Sequence, residues 1–186
     1  MRKILERETA ELKQALRDLK PFHGQVLNVF QELREAFNRD HIVYVAGNGG
    51  SATQAQHFSS ELLGRYKSNR PSYACVALTA DQATLTCIGN DFGFEEIFSR
   101  QLAALGLEGD VFMALSTSGN SANILRAVEV AKARGMVVIG LTGRQGKLRE
   151  MADHVIESPA DTTARIQELH LHAIHLICEL LEPHVD

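Results

Sequence analysis

Leu5, Leu12, Leu16 and Leu19 recur at spacings of 7, 4 and 3, and after Pro21 the set Val26, Leu27, Phe30, Leu33 and Phe37 repeats the stripe. Spacings near 3.6 hold apolar side chains on one helix face, so residues 3–19 and the stretch after Pro21 predict two amphipathic helices. From residue 42 the period changes. Short apolar runs at 42–46, 74–79, 110–115, 136–141 and 154–157 alternate with helical patterns. Such runs suit strands buried on both faces, and their alternation with helices is the βαβ rhythm of a parallel sheet. A last helix is predicted over about 162–181, where Ile166, Leu169, Ile174, Leu176, Ile177 and Leu180 supply the apolar positions. The chain therefore reads as one α/β domain, with a helical pair over 1–40 and an α/β core over 41–186.

Composition narrows the partners. With 186 residues, 45% of them hydrophobic and 23% charged, the chain can bury one sizeable core. Its net charge of -4, with lysines and arginines dispersed, argues against nucleic acid and against an acidic membrane surface. The expected partner is a small molecule or a protein. Cys75, Cys87 and Cys178 are odd in number and far apart, which frames neither disulfides nor a CxxC site and points to a reducing compartment. The charged start Met1-Arg-Lys-Ile-Leu-Glu-Arg-Glu8 lacks the apolar run of a signal peptide, and no run approaches a membrane span. These features predict a cytoplasmic location.

Chemistry concentrates where strands end. Val43-Tyr-Val-Ala-Gly-Asn-Gly-Gly-Ser51 reads as a strand, a glycine-rich turn and a helix start, a junction whose free N–H groups suit a phosphate. Ser51 is expected to cap the helix and to offer a hydroxyl. Gly47-Asn48-Gly49-Gly50 lacks the third glycine of GxGxxG, and Asp81 lies too far on for a ribose-binding acid, so a dinucleotide fits poorly. Ser116-Thr-Ser-Gly-Asn-Ser121 follows the run Val111–Leu115 and precedes a helix over 122–133, which makes it a second phosphate loop or an ordinary cap. Two such loops in one small domain favour a sugar phosphate.

His57 and Glu61 stand at i and i+4 and share a helix face, either as a metal or base pair or as a plain surface pair. On the last helix His175 lies within about 80° of Gln167 on the wheel, so those two donors face one side. His170 and His172 read as core or solvated side chains.

Gly47-Asn-Gly-Gly-Ser51, Gln56-His-Phe58, Glu61-Leu-Leu-Gly-Arg-Tyr66, Asn69-Arg-Pro71, Gly89-Asn-Asp-Phe-Gly-Phe94, Ser116-Thr-Ser-Gly-Asn-Ser121 and Arg165-Ile-Gln-Glu168 together resemble the sedoheptulose-7-phosphate isomerases of the sugar isomerase (SIS) family. The resemblance spans nearly the whole chain. It implies a three-layer SIS fold, a five-stranded parallel sheet flanked by helices, with the N-terminal helices used in oligomerisation. It also implies conversion of D-sedoheptulose 7-phosphate to D-glycero-D-manno-heptose 7-phosphate through an enediolate, the first step toward activated heptose and a lipopolysaccharide precursor.

By the same resemblance His57, Glu61, Gln167 and His175 are the ligands of one zinc ion per subunit. Asn48, Gly49, Gly50, Ser51, Glu61, Asn90, Asp91, Ser116, Thr117, Ser118, Ser121 and Gln167 are the substrate contacts, and Glu61 and His175 the catalytic pair. A homotetramer with sites at subunit interfaces is implied as well. Gln54 stands where relatives often carry an acid, and Ala164 where some carry aspartate, which bears on the finer substrate contacts. Two alternatives stay open at this point. One is a non-catalytic adaptor similar to replication-initiator-associating proteins, which lack the glutamate and the last-helix histidine present here. The other is an SIS isomerase for a different sugar phosphate.

Overall fold

The computed structural model describes residues 1–183. Two helices, α1 (Arg2–Ala15) and α2 (Lys20–Asn38), precede a core in the order β1 (Val43–Gly47), α3 (Gly50–Leu63), β2 (Cys75–Ala77), α4 (Gln82–Phe92), α5 (Ser99–Leu105), β3 (Val111–Ser116), α6 (Ala122–Ala133), β4 (Val137–Thr142), α7 (Leu148–Met151), β5 (His154–Glu157) and α8 (Thr163–Leu181). The five strands pair only in parallel, in the order β2-β1-β3-β4-β5.

The alternation of side chains along each strand divides the core into two layers. Val43, Val45, Val111, Met113, Leu115, Ile139 and Leu141 face α2, α3 and α8, joined by Phe22, Val29, Leu33, Phe58, Leu62, Ile174 and Ile177. Tyr44, Ala46, Phe112, Ala114 and Val138 face the other way onto Leu102, Ile124, Ala127, Val128 and Leu148 of α5, α6 and α7. Both faces of the inner strands β1, β3 and β4 are covered, which is why these three read as unbroken apolar runs, whereas the edge strands β2 and β5 are only partly buried.

Two expectations shift. The first helix ends at Ala15 rather than Leu19, and Leu5 and Leu16 of its stripe are 68% and 44% exposed. The second helix takes in Pro21 instead of following it, because proline lacks only an N–H that the first turn leaves unpaired anyway. The chain runs outward from β1 to β2 and then returns to β3 on the other side of β1, so the strand order reverses between β1 and β3. Ligand crevices in open parallel sheets form at the carboxyl ends of strands at such a reversal. Both glycine and serine loops lie there, since Gly47 of β1 is paired with Leu115, the residue before Ser116.

Candidate functional site

The loop after β1 is shaped by contacts only glycine permits. A Cβ on Gly47 would lie 2.7 Å from the Ser51 backbone, and Gly49 has φ +54°. Gly49 is the N-cap of α3, without a side-chain bond, so helical geometry starts at Gly50 and Ser51 sits inside the first turn, buried at 3% exposure. The expected capping role of Ser51 is thus corrected: the reversal at Gly49 starts the helix two residues earlier. A Cβ on Gly50 would stand 2.7 Å from Nε2 and 2.9 Å from Oε1 of Gln167, which places that amide from α8 directly against the loop.

The loop after β3 turns at Gly119, φ +64°, whose N–H donates to the Ser116 carbonyl at 3.1 Å. The Ser116 and Ser121 hydroxyls lie 3.1 Å apart, and the Asn120 amide donates to Ser118 Oγ at 3.2 Å. Thr117, Ser118, Asn120, Gly143, Arg144, Gln145 and Thr163 line a cavity of about 370 Å³ beside this loop. The hydroxyls and amides of this pocket suit an anion, while the Arg144 guanidinium in its wall donates to the Asp161 carboxylate, also in the wall, at 3.3 Å. The two loops are tied together by a reciprocal amide pair: Asn48 Nδ2 donates to Asn123 Oδ1 and Asn123 Nδ2 to Asn48 Oδ1, each at 2.8 Å. The Asn48 side chain, expected to touch substrate, is therefore turned into the junction between loops.

Packing of α3 against α8 brings the remaining candidates together. His57 Nε2 lies 3.0 Å from His175 Nε2 and 3.5 Å from Glu61 Oε1, and the Glu61 side chain is 19% exposed. The Tyr66 ring, 6.0 Å from that of His175, walls this cluster. The donor types and the separations of 3.0 and 3.5 Å fit a zinc ion, because neighbouring ligands of a tetrahedral site are about 3.3 Å apart. Among the described residues no three His, Cys, Asp or Glu side chains stand as a ready-made cation site, so the fit is pairwise with His57 at the shared corner. Asn90 and Asp91 are not drawn in. They lie exposed at the end of α4, where Asn90 Nδ2 donates to Asp91 Oδ1 at 2.7 Å and Cys87 Sγ to Asp91 Oδ2 at 3.7 Å. Asp81 caps α4 through the Thr84 amide at 3.1 Å, an ordinary structural role.

Several contributors carry little signal in the sequence. Asn123 is visible only as a polar residue on the buried face of α6. Gln54 Nε2 donates to the Gln167 carbonyl at 2.7 Å and so fixes α8 where Gln167 meets Gly50, while its Oε1 is buried without a partner. His170, expected to be solvated or satisfied within the core, is in the core but not satisfied: it is fully buried on α8 beside the Thr142 backbone, and burial holds its imidazole down to about 4. Neither of its ring nitrogens makes a well-formed hydrogen bond to another protein atom.

A SIS domain family model matches residues 4–143. The chain is 43% identical over 180 residues to phosphoheptose isomerase 1 of Campylobacter jejuni, covering 96% of this chain and 97% of that one. A phosphoheptose isomerase structure from Neisseria gonorrhoeae matches with a TM-score of 0.85 and 40% identity over 95% of this chain and 97% of that one. Another from Francisella tularensis matches with a TM-score of 0.88 and 37% identity over 96% and 95%.

Proposed function

Because the chain belongs to the phosphoheptose isomerases of the SIS domain family, we propose that it isomerises D-sedoheptulose 7-phosphate to D-glycero-D-manno-heptose 7-phosphate. The observation that carries this reading is the meeting of His57, Glu61 and His175 where α3 packs on α8. A pocket lined by Thr117, Ser118 and Asn120 at the Ser116–Ser121 loop supports phosphate binding there. Glu61 takes a proton from C1 of the ketose, and the C–H electron pair becomes the C1–C2 double bond of an enediolate. His175 protonates or relays protons at the oxygens. Returning a proton to C2 leaves the carbonyl at C1, so C1 is oxidised as C2 is reduced and no outside oxidant is needed. The phosphate, remote from both carbons, positions the sugar through Ser116, Thr117, Ser118 and Ser121. Zinc held by His57, Glu61, Gln167 and His175 would supply Lewis-acid polarisation of the carbonyl.

The assembly we infer is a homotetramer with sites at subunit interfaces. Ile4 and Leu5 of α1 are 55% and 68% exposed, α4 buries no residue within the chain, and Phe92 and Phe94 are 52% and 64% exposed. Apolar surface of this kind on two elements gains burial from other copies. Free Cys75, Cys87 and Cys178 suit a reducing cytoplasm, and the heptose phosphate suits a route to activated heptose for lipopolysaccharide.

A coupled assay with sedoheptulose 7-phosphate, run beside fructose 6-phosphate and arabinose 5-phosphate, tests the function. Turnover of the heptulose phosphate is expected, falling by about 10² to 10⁴ in Glu61→Gln. A folded, zinc-loaded parent without turnover would sink the function, and a fully active Glu61→Gln would sink the base assignment.

A further inference from the structure

The Arg70 side chain is 3% exposed and that of Glu182 is 7% exposed, with Nε and Oε1 3.3 Å apart. Two charges removed from water hold a fold together only if their remaining donors and acceptors are satisfied. Here they are. Arg70 Nη2 donates to the Glu61 carbonyl at 2.9 Å, and Nη1 donates to the carbonyls of Leu62 at 3.2 Å and Pro71 at 3.0 Å. Glu182 Oε2 accepts from the Ser68 amide at 2.7 Å.

These bonds fall at two helix ends. The last turn of α3 contains no basic residue, and its terminal carbonyls lack helical partners. The Arg70 guanidinium comes back from the following loop to occupy that negative end. Glu182 is the C-cap of α8, two turns beyond His175 on the same face. One ion pair thus links the end of the helix that carries Glu61 to the end of the helix that carries His175. The Ser68 bond also anchors the loop that sets the Tyr66 ring beside His175.

We propose that Arg70 and Glu182 form a clasp that positions Glu61 relative to His175 for proton transfer, a role that rests on reading Glu61 as the base. Arg70 acts through the Glu61 peptide, because protein groups occupy its guanidinium. A fork of fixed donors is needed: a lysine ammonium keeps the charge but cannot hold three carbonyls and a carboxylate at once.

The test is steady-state kinetics with sedoheptulose 7-phosphate for the parent, Arg70→Lys, Glu61→Gln and the double variant, with folding of each checked by thermal unfolding. Arg70→Lys is expected to lower kcat by about tenfold or more, since small misplacements of a catalytic group are costly, while KM stays within about twofold because the phosphate loop is untouched. In the Glu61→Gln background the same change should cost less than about twofold in kcat, as expected of residues acting as a unit. A purely structural role would lower the melting temperature and leave kcat of the folded enzyme alone. A folded Arg70→Lys enzyme with parental kcat, or one losing equally in both backgrounds, overturns the clasp. If Glu61→Gln is itself fully active, the base assignment falls and takes the clasp with it, whereas an inactive Glu61→Gln beside an active Arg70→Lys condemns the clasp alone. Should Arg70→Lys not fold, Glu182→Gln, which keeps an acceptor for the Ser68 amide, carries the same comparison.

Discussion

The Nε2 atoms of His57 and His175 face each other across 3.0 Å, although 118 positions separate them in the chain. Two bare imidazole lone pairs at that distance repel, so the pair is stable only with a proton or a cation between them. Glu61 Oε1, 3.5 Å from the same His57 nitrogen, adds a negative charge that favours the cation. The arrangement puts the proposed metal ligands and the proposed catalytic pair in one cluster.

His57→Ala is therefore expected to lower zinc content and activity together, because it removes the donor shared by both contacts. Elemental analysis of protein reloaded with zinc is the check. Full activity with zinc at background in the parent would refute the metal site.

Ser118→Ala and Ser121→Ala should raise KM about tenfold or more, each removing a hydrogen bond to a charged phosphate worth about 1.5–3 kcal/mol. The fold should persist, and kcat should change little because the phosphate stays fixed while the carbons react. Kinetics showing an unchanged KM in both variants would place the phosphate elsewhere.

Gly50→Ala introduces a Cβ 2.7 Å from the Gln167 Nε2 atom. The flexible amide must swing away, so the expected result is a loss of kcat/KM of about tenfold with only a modest loss of stability, typical of a displaced side-chain end. Kinetics and thermal unfolding of the variant, compared with Gln167→Ala, would show the same defect from both changes; a fully active Gly50→Ala would separate Gln167 from the site.

Burial holds the His170 imidazole down to about 4, below its ordinary value of 6.5. The unfolded chain then binds the proton more readily than the folded one, so stability is complete above pH 6.5 and falls as pH drops toward 4, by on the order of 3 kcal/mol in all. Urea unfolding between pH 7.5 and 4.5 should reveal the slope, and His170→Phe should flatten it. An equal slope in the variant would assign the acid sensitivity to other groups.

Periodicity determined the elements. The inner strands were legible because parallel strands covered on both faces show as apolar runs, and the partly exposed edge strand β5 also falls on the expected 154–157. The helix over 122–133 was equally plain, its start marked by the serine loop. Loop composition and helical spacing singled out the serine loop, His57, Glu61 and His175, and the motif resemblance implied their roles. The strand register then placed both loops at neighbouring strand ends.

Only the tertiary structure decided which of these side chains meet. Wheel angles put Gln167 and His175 on one side of α8 but say nothing about how far α8 slides along α3. That offset is set by the packing of buried residues such as Phe58, Leu62, Ile174 and Ile177, which fill space without marking it in the sequence. Hence His175 reaches His57, Gln167 rests on Gly50, Asn48 pairs with Asn123, and Arg70 finds Glu182, while Asn90 and Asp91 remain on the exposed α4. Local periodicity is a property of neighbours along the chain, and convergence is a property of helices docked across a core.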